Sequence, residues 1–175
     1  MSKDLTQLLE NLHVEQIDIN LFRGVTLPGR NPRVYGGQVL AQAMNAATRS
    51  VDHARRVHSL HAYFLRPGDP GRPSIYEVDP IRDGRSFSTR RVVARQRGRA
   101  IFNTAISYQL PEQGFDHHDP MPEVPAPEDV ESDFAYYARK AAEEPEHYHP
   151  LSSHAVDFRP LERLDPRNPP ARAAR

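Results

Sequence analysis

The 175-residue chain is long enough for one domain with a buried core, and its composition disfavours several classes of function. Twenty-three basic residues balance 23 acidic ones, so there is no electropositive excess to attract nucleic acid or an anionic membrane. Cysteine is absent, which removes disulfides, thiolate zinc sites and cysteine nucleophiles. No segment approaches the roughly 18 apolar residues of a membrane helix, and "MSKDLTQLLENL" is too polar for a signal peptide. The sequence therefore predicts a soluble, cytoplasmic protein with no nucleic-acid or membrane partner.

Periodicity in the first part of the chain predicts two helices and a series of strands. The leucines of "KDLTQLLENL" have helical spacing, and "VEQIDINLFRG" after them fits a bent strand or a hairpin. A longer, alanine-rich helix without charged residues begins at Gly36 and Gly37. Strand-like stretches follow at Val57–Leu65, Ser74–Arg82, Ser86–Gln96 and Arg99–Leu110.

Alternation within these strands predicts which side chains face the core. Leu60, Ala62 and Phe64 share one face with His58. The Asp-Gly pair in "RDGRS" is typical of a two-residue hairpin turn, and "RG" after the third strand fits the next turn. The sequence therefore predicts an α+β protein in which a long central helix is wrapped by a curved antiparallel meander. This arrangement is the hotdog fold.

Glycine and proline divide the chain near Leu110. Eight of the nine glycines precede this residue, whereas eleven of the seventeen prolines follow it. The stretch "PEQGFDHHDPMPEVPAPEDVE" is too rich in proline and acid residues to offset the entropy of ordering by apolar burial. We expect a linker or an extended surface segment there, then a short helix over Asp133–Glu144 and a strand beginning within Ser152–Leu164.

The glycine pair that opens the long helix raises the question of phosphate binding, because bare amides at the positive end of a helix dipole attract anions. However, "GGQVLAQ" lacks the Lys-Ser/Thr of a P-loop and the third glycine of the dinucleotide fingerprint, and the following strands have an antiparallel pattern. The sequence contains no G-x-S-x-G elbow, which disfavours a serine hydrolase of the α/β class. The histidine pairs "HSLH" and "HYH" favour solvent exposure or ordinary hydrogen bonds over metal binding.

Two features leave alternatives open. His58 on the apolar face is either a buried histidine bonded to a backbone carbonyl or a polar group that lines a ligand channel. Seven arginines between Arg82 and Arg99 are either a solvated sheet edge or a docking surface for an anionic, phosphate-bearing ligand. Few aromatic residues interrupt these arginines, so nucleic acid is the weaker candidate for that ligand.

Three stretches resemble bacterial acyl-CoA thioesterase II, namely "VYGGQVLAQAM", "VHSLHAYFLRPGDP" and "IRDGRSFSTRRVVARQRGRAIFNTAISYQ". The resemblance extends from about Leu5 to about Pro166 and includes the later stretch "MPEVPAPE". It implies a double-hotdog enzyme, in which two hotdog repeats of one polypeptide hydrolyse fatty acyl-CoA to free fatty acid and CoA.

The resemblance also implies how the chain is divided. Residues 1–110 correspond to the N-terminal hotdog domain, residues 111–151 to a Pro-rich linker with a short helix, and residues 152–175 to the start of a truncated second repeat. The catalytic Asp, Thr and Gln of the family belong to the second repeat, so no catalytic residue is assignable here. The helix agrees with this, because it offers amides to an oxyanion but contains no Asp or Glu from Tyr35 to Thr48.

We therefore expect acyl-CoA as the ligand of a half that is inactive alone, with no cofactor and no metal. The predicted substrate-binding residues are Gly36, Gly37, Gln38, His58, Arg85 and Ser86. A lone hotdog leaves a sheet edge exposed, which predicts a homo-oligomer or pairing with a second hotdog repeat. The alternative is a non-catalytic acyl-CoA-binding or structural module that pairs with a partner. A hydratase of this fold needs an Asp followed five residues later by His, and no Asp in the chain meets this requirement.

Overall fold

A computed structural model of the chain describes residues 3–26, 32–151 and 155–163. Its contacts define a larger compact unit, Thr6–Phe115, and a smaller one built mainly from Asp116 onward. The four strands predicted after the long helix are present, with ends shifted by one residue at most. In chain order the elements are α1 Lys3–Leu12, β1 Glu15–Asp18, β2 Leu21–Gly24, α2 Gly36–Thr48, β3 Arg56–Phe64, β4 Ser74–Asp83, β5 Phe87–Gln96, β6 Arg99–Gln109 and α3 Asp133–Glu143.

Six antiparallel strands form one sheet in the order β1-β2-β4-β5-β6-β3. Strands β4, β5 and β6 form the predicted meander, but β3 pairs with β6, with Leu60 opposite Ile106, and not with β4. The meander prediction is wrong for β3, because alternation reports which face a strand buries and not which strand lies beside it. As a result β3 is an edge strand, and eight of its nine residues are exposed.

Helix α2 packs against one face of the sheet and forms the core of the larger unit. Its inward side chains Ala43, Ala46 and Ala47 are fully buried, and their small size lets the helix backbone approach the sheet closely. The sheet supplies the large side chains that fill the core, which are Phe22, Tyr76, Phe102, Ile106 and Tyr108. The predicted arrangement of one central helix on an antiparallel sheet is confirmed.

One polar network lies inside this core. The buried Tyr76 hydroxyl donates to Oε1 of Gln42 at 2.7 Å, and Nε2 of Gln42 donates to the Val25 carbonyl at 2.9 Å. Burial raises the pKa of Tyr76 well above its ordinary value, so the phenol stays a donor. A Cβ at Gly24 would lie 2.4 Å from Oε1 of Gln42, and only glycine therefore fits at the end of β2.

The two hairpin turns differ in how well their sequences predict them. Arg97 and Gly98 both have positive φ, 50° and 73°, as the tight turn between β5 and β6 requires. The connection between β4 and β5 consists of residues 84–86, so it is one residue longer than the predicted turn. In addition, Gly84 does not have the positive φ that is typical of a two-residue hairpin turn. The Gly84 amide instead donates to the Phe87 carbonyl at 2.8 Å.

In the smaller unit, helix α3 follows a segment without regular structure. The Ser132 hydroxyl caps α3 by accepting from the Ala135 amide at 3.1 Å. Residues 155–163 form no strand, contrary to the prediction, because their polar groups bond to the start of α3: the Phe158 carbonyl accepts from the Asp133 amide, and Arg163 pairs with the Asp133 carboxylate. The rest of the predicted second repeat, residues 152–154 and 164–175, lies outside the described residues, and the predicted domain boundaries stay predictions.

Candidate functional site

Helix α2 begins without a side-chain cap. Its N-cap residue Tyr35 is extended, with φ −64° and ψ 128°, and makes no capping hydrogen bond. Within the described residues no acceptor bonds the amides of Gly36 or Gly37, whereas the Gln38 amide donates to the Tyr35 carbonyl at 3.0 Å. Two amide donors at the positive end of the helix dipole are therefore left for a ligand oxygen.

The Gln38 side chain turns away from these two amides. Its Nε2 donates to the Val25 carbonyl at 3.0 Å and approaches the Thr26 hydroxyl at 3.4 Å. Gln38 thus holds the segment after β2 against the first turn of α2, and that contact helps to fix the position of the helix N-terminus.

A mostly apolar cavity of about 340 Å³ lies beside the glycine pair, and we call it the glycine cavity. The Phe64 ring, at the end of β3, covers Gly36 so closely that a Cβ there would lie 2.9 Å from the ring. The same ring packs on Phe102, with 5.0 Å between centroids. The lining residues are Val34, Gly36, Val39, Phe64, Leu65, Pro67, Gly68, Ile101 and Phe102, together with two arginines, Arg33 and Arg66. This cavity offers apolar walls and exposed backbone donors at one place.

A larger, basic cavity of about 520 Å³ adjoins the first, and we call it the arginine cavity. Three residues, Arg66, Pro67 and Ile101, line both cavities, so the two are continuous along the surface. The remaining lining residues are Asp69, Arg72, Gln96, Arg97 and Arg99. The β3–β4 connection and the β5–β6 turn together supply this charge.

The other predicted site residues, His58, Arg85 and Ser86, lie at the opposite end of β3. Phe64 is six positions after His58 in β3, which corresponds to about 20 Å along a strand. Arg85 and Ser86 belong to the exposed β4–β5 turn, where their carbonyls accept from Arg55 and from the Leu110 amide. The six predicted substrate-binding residues therefore form two separate groups.

Alternation predicted that His58 shares the face of Leu60, and this prediction is wrong. The β3–β6 register shifts between Val57 and Ser59, so that His58 is the extra residue of a β-bulge. Its Nε2 lies 2.8 Å from the Ser107 hydroxyl, and its ring contacts Phe87 edge-on at 5.6 Å. Ser107 alternates with the buried Ile106 and therefore lies on the sheet face away from α2.

A second arginine site lies near the β4–β5 turn, where Arg90 points into the protein and is 2% exposed. Its guanidinium donates to the Ser50 hydroxyl and carbonyl at 2.9 and 2.8 Å, to backbone carbonyls, and to the Asp83 carboxylate at 2.8 Å. Hydrogen bonds from the Ser88 hydroxyl and from Arg90 lower the pKa of Asp83 below its ordinary value. Arg90 is thus fully engaged by the protein itself.

The site formed by the N-terminus of α2 and the two cavities is chemically incomplete in one respect. Helix α2 provides donors for a developing negative charge, but no carboxylate lies on it from Tyr35 to Thr48. In the part of the chain that the structure describes, no group of three or more His, Asp or Glu side chains could hold a metal ion. The arrangement can bind a carbonyl oxygen and an anionic ligand, but α2 supplies no base to activate water, and the carboxylate that lines the arginine cavity, Asp69, is paired with Arg72 and Arg97.

Most residues of the two cavities were not predicted from the sequence, among them Phe64 as a lining residue, Arg66, Arg72 and Gln96. The stretch "RPGDPGRP" that follows β3 contains Arg66 and Arg72 among glycines and prolines. Such a loop is a common place for binding residues, so its composition was the available signal. No comparable signal marks Gln96, which is one polar residue at the end of a strand.

A family model described as the acyl-CoA thioesterase N-terminal domain matches residues 27–109, which include α2, both cavities and strands β3–β6. The chain is 41% identical over 162 residues to acyl-CoA thioesterase 2 of Haemophilus influenzae, an alignment that covers 93% of this chain and 56% of that protein. These matches confirm the predicted resemblance to acyl-CoA thioesterases.

Solved structures agree with this family and with its fold. The acyl-CoA thioesterase II TesB2 of Mycobacterium marinum superposes with a TM-score of 0.62 at 42% identity, over 68% of this chain and 44% of that one. A protein of unknown function with a hot dog fold from Alicyclobacillus acidocaldarius superposes with a TM-score of 0.64 at 22% identity, over 72% of this chain and 48% of that one. The predicted hotdog fold is confirmed.

The chain spans about half the length of the thioesterase family members that it matches. The matching family model is that of an N-terminal domain, in agreement with the resemblance to a first hotdog repeat. Within the described residues, no helix is both long enough and apolar enough to cross a membrane.

Proposed function

We propose that this chain is the N-terminal half of an acyl-CoA hydrolase, which cleaves fatty acyl-CoA to free fatty acid and CoA. The observation that carries the proposal is the pair of unbonded amides at Gly36 and Gly37 beside the glycine cavity. In thioester hydrolysis, water adds to the carbonyl carbon, the oxygen becomes an oxyanion, and the C–S bond then breaks to release the thiol. Amide donors at the helix N-terminus stabilise that oxyanion as its charge develops.

The base for this reaction has to come from elsewhere, because α2 contains no acid. A carboxylate of a second hotdog unit would take the proton of the attacking water and return it to the departing sulfur. We therefore expect the chain alone to be inactive and to gain activity when a second hotdog unit completes the site.

Strand β3 supports pairing with such a unit. Among the described strands it has a neighbour on one side only, so a row of backbone donors and acceptors is unpaired. Several large apolar side chains on and just after this strand are more than a third exposed: Val57, Leu60, Tyr63, Phe64 and Leu65. We propose that this edge joins either a second hotdog repeat or a second copy of the chain.

The proposed activity is tested by joining this chain to the part of the Haemophilus influenzae relative that it does not cover. A thiol reagent would follow CoA release from medium- and long-chain acyl-CoA. We expect turnover by the joined protein and none by the chain alone. A folded joined protein that releases no CoA would overturn the proposal.

The role of the Gly37 amide is tested in the same joined protein with a matched pair of variants. Gly37→Pro removes the amide donor at a position where the first turn of a helix tolerates proline, whereas Gly37→Ala keeps the donor. Both changes push the exposed Tyr35 ring, which lies 2.5 Å from the new Cβ. We expect a loss in kcat of about 100-fold for the proline variant and less than threefold for the alanine variant. Equal losses would remove Gly37 from the proposed oxyanion site.

A second candidate function is acyl-CoA binding without cleavage, and the lack of an acid on α2 favours it for the chain taken alone. Calorimetry with a non-hydrolysable acyl-CoA thioether would detect such binding. Binding by the chain, together with a joined protein that binds and does not hydrolyse, would favour this function over the first.

We also infer a cytoplasmic location and a role in fatty acid metabolism. The support is the similarity of the chain to acyl-CoA thioesterases. Fractionation of cells that express a tagged chain would check the compartment.

A further inference from the structure

The arginine cavity is a strongly charged concave surface of the larger unit, in a chain with no net charge. Four guanidinium groups and one carboxylate line it. Asp69 lies 3.2 Å from Arg72 and 3.7 Å from Arg97, so one acid is shared by two bases. The local balance is an excess of three positive charges around one opening.

Two of the four arginines have no acidic partner among the residues that the structure describes. Arg66 donates to the Ala100 carbonyl at 2.7 Å, which fixes its side chain without neutralising its charge. Arg99 has neither a hydrogen bond nor an ion pair from its guanidinium among the described residues. By contrast, Arg91 and Arg95 on the neighbouring strand are paired with Asp79 and Glu77. The charge in this cavity is therefore available to a ligand in a way that the charge of Arg91 and Arg95 is not.

The loop that forms one wall of the cavity is held in place by Gln96, which is 8% exposed. Its Oε1 accepts from the Asp69 amide at 2.8 Å, and its Nε2 donates to the carbonyls of Asp69 and Arg72 at 3.0 and 3.1 Å. A buried side chain that bonds three backbone groups of one loop fixes the shape of the cavity before any ligand arrives. Such preorganisation lowers the entropic cost of binding.

We propose that the arginine cavity binds the phosphate groups of the nucleotide end of CoA. The inference rests on the proposed function, and it adds where on this half the polar end of the substrate lies. Clustered arginines recognise phosphate through bidentate hydrogen bonds. The apolar continuation past Arg66 into the glycine cavity fits a ligand with one polyanionic end and one uncharged arm, so a free nucleotide would fill only one of the two cavities. The CoA arm would then lead the thioester to the amides of Gly36 and Gly37.

The test measures CoA binding by this chain alone, using calorimetry at low salt. The double variant Arg97→Asn/Arg99→Gln removes two charges from the cavity, and asparagine tolerates the positive φ of position 97. The control Arg23→Gln/Arg91→Gln removes two charges from exposed ion pairs on β2 and β5. We expect CoA affinity to fall at least tenfold in the cavity variant and less than twofold in the control.

Two further ligands identify what the arginines bind. Dephospho-CoA lacks the 3′-phosphate, and we expect it to bind more weakly than CoA to the unmodified chain. Inorganic phosphate should compete with CoA only at much higher concentration, because it cannot reach the glycine cavity. Equal CoA affinity in the cavity variant and the unmodified chain would overturn the proposal, and so would an absence of CoA binding by the folded chain.

Failure of this inference is distinguishable from failure of the proposed function. CoA release by the joined protein, combined with CoA binding that does not depend on Arg97 and Arg99, would leave the hydrolase in place and move the phosphate site elsewhere. Binding that depends on both arginines, combined with a joined protein that releases no CoA, would keep the site and remove the hydrolysis.

Discussion

Strand β5 has an arginine site near each end, and the two sites use the same side chain in opposite ways. Near the start of the strand, Arg90 is buried and donates to a serine, to backbone carbonyls and to Asp83. Beyond its end, Arg97 and Arg99 line an open cavity with Arg66 and Arg72, and the one carboxylate in that lining pairs with only two of the four. A guanidinium whose partners all lie within the protein stabilises the fold, whereas a cluster with too few partners is available to a ligand.

The largest effect on stability is expected for a substitution of the buried Arg90. Arg90→Met keeps much of the side-chain volume but leaves the Ser50 and Arg82 carbonyls without their donor. We expect the free energy of unfolding to fall by about 3 kcal/mol. Chemical denaturation followed by circular dichroism measures this change.

A matched variant gives the contrast. Arg99→Gln removes an arginine from the open cavity, where no protein partner is lost, and we expect its stability to change by less than about 0.5 kcal/mol. If Arg90→Met and Arg99→Gln changed stability by the same amount, the distinction between a structural and a ligand-binding arginine site would fail.

The next expected effect concerns the side chain that shapes the open cavity. Gln96→Leu removes three hydrogen bonds to the loop that contains Asp69 and Arg72, and leaves their backbone groups partly buried without partners. We expect a loss of about 2 kcal/mol in the free energy of unfolding and also weaker CoA binding. Denaturation and calorimetry on one preparation measure both quantities.

The control for this prediction is the exposed Gln16, whose side chain makes two long hydrogen bonds, to the Asp18 carbonyl at 3.3 Å and from Arg49 at 3.4 Å. Gln16→Leu should leave both stability and CoA binding nearly unchanged. A Gln96→Leu protein that is less stable but binds CoA normally would show that the loop does not need Gln96 to hold its shape.

Local pattern predicted most of the fold in the first 110 residues. The spacing of the leucines in α1, the glycine pair and alanines of α2, and the alternation of β4–β6 each reflect a side-chain period that the backbone imposes. Strand β3 shows the limit of this reasoning. Its length was predicted to within a residue, but its place beside β6 depends on a long-range pairing that leaves no local signal.

The candidate site was less predictable, for two physical reasons. His58 lies in a bulge, and one inserted residue moves a side chain to the opposite face, which alternation cannot detect. Arg90 shares its parity in β5 with the buried Ser88, Val92 and Ala94, so alternation did contain a signal for it. The seven arginines between Arg82 and Arg99 conceal this signal, because together they resemble a single exposed basic stripe.

The smallest expected effect concerns the acid that faces Arg90. Hydrogen bonds from Ser88 and Arg90 depress the folded-state pKa of Asp83, so its contribution to stability is present above the ordinary pKa of about 3.9 and is lost as the pH falls through the lower folded value. Because the side chain is 59% exposed, solvent screening limits this contribution to less than about 1 kcal/mol. Asp83→Asn should therefore be slightly less stable than the unmodified chain at pH 7, and the difference should vanish as the pH falls below the lowered folded-state pKa of Asp83. Acid titration of the unfolding midpoint measures this convergence, with Asp79→Asn, which breaks an exposed pair with Arg91, as the control for loss of a surface carboxylate. Curves that stay parallel down to the lowest pH would show that Arg90 is held by Ser50 and the backbone carbonyls without Asp83.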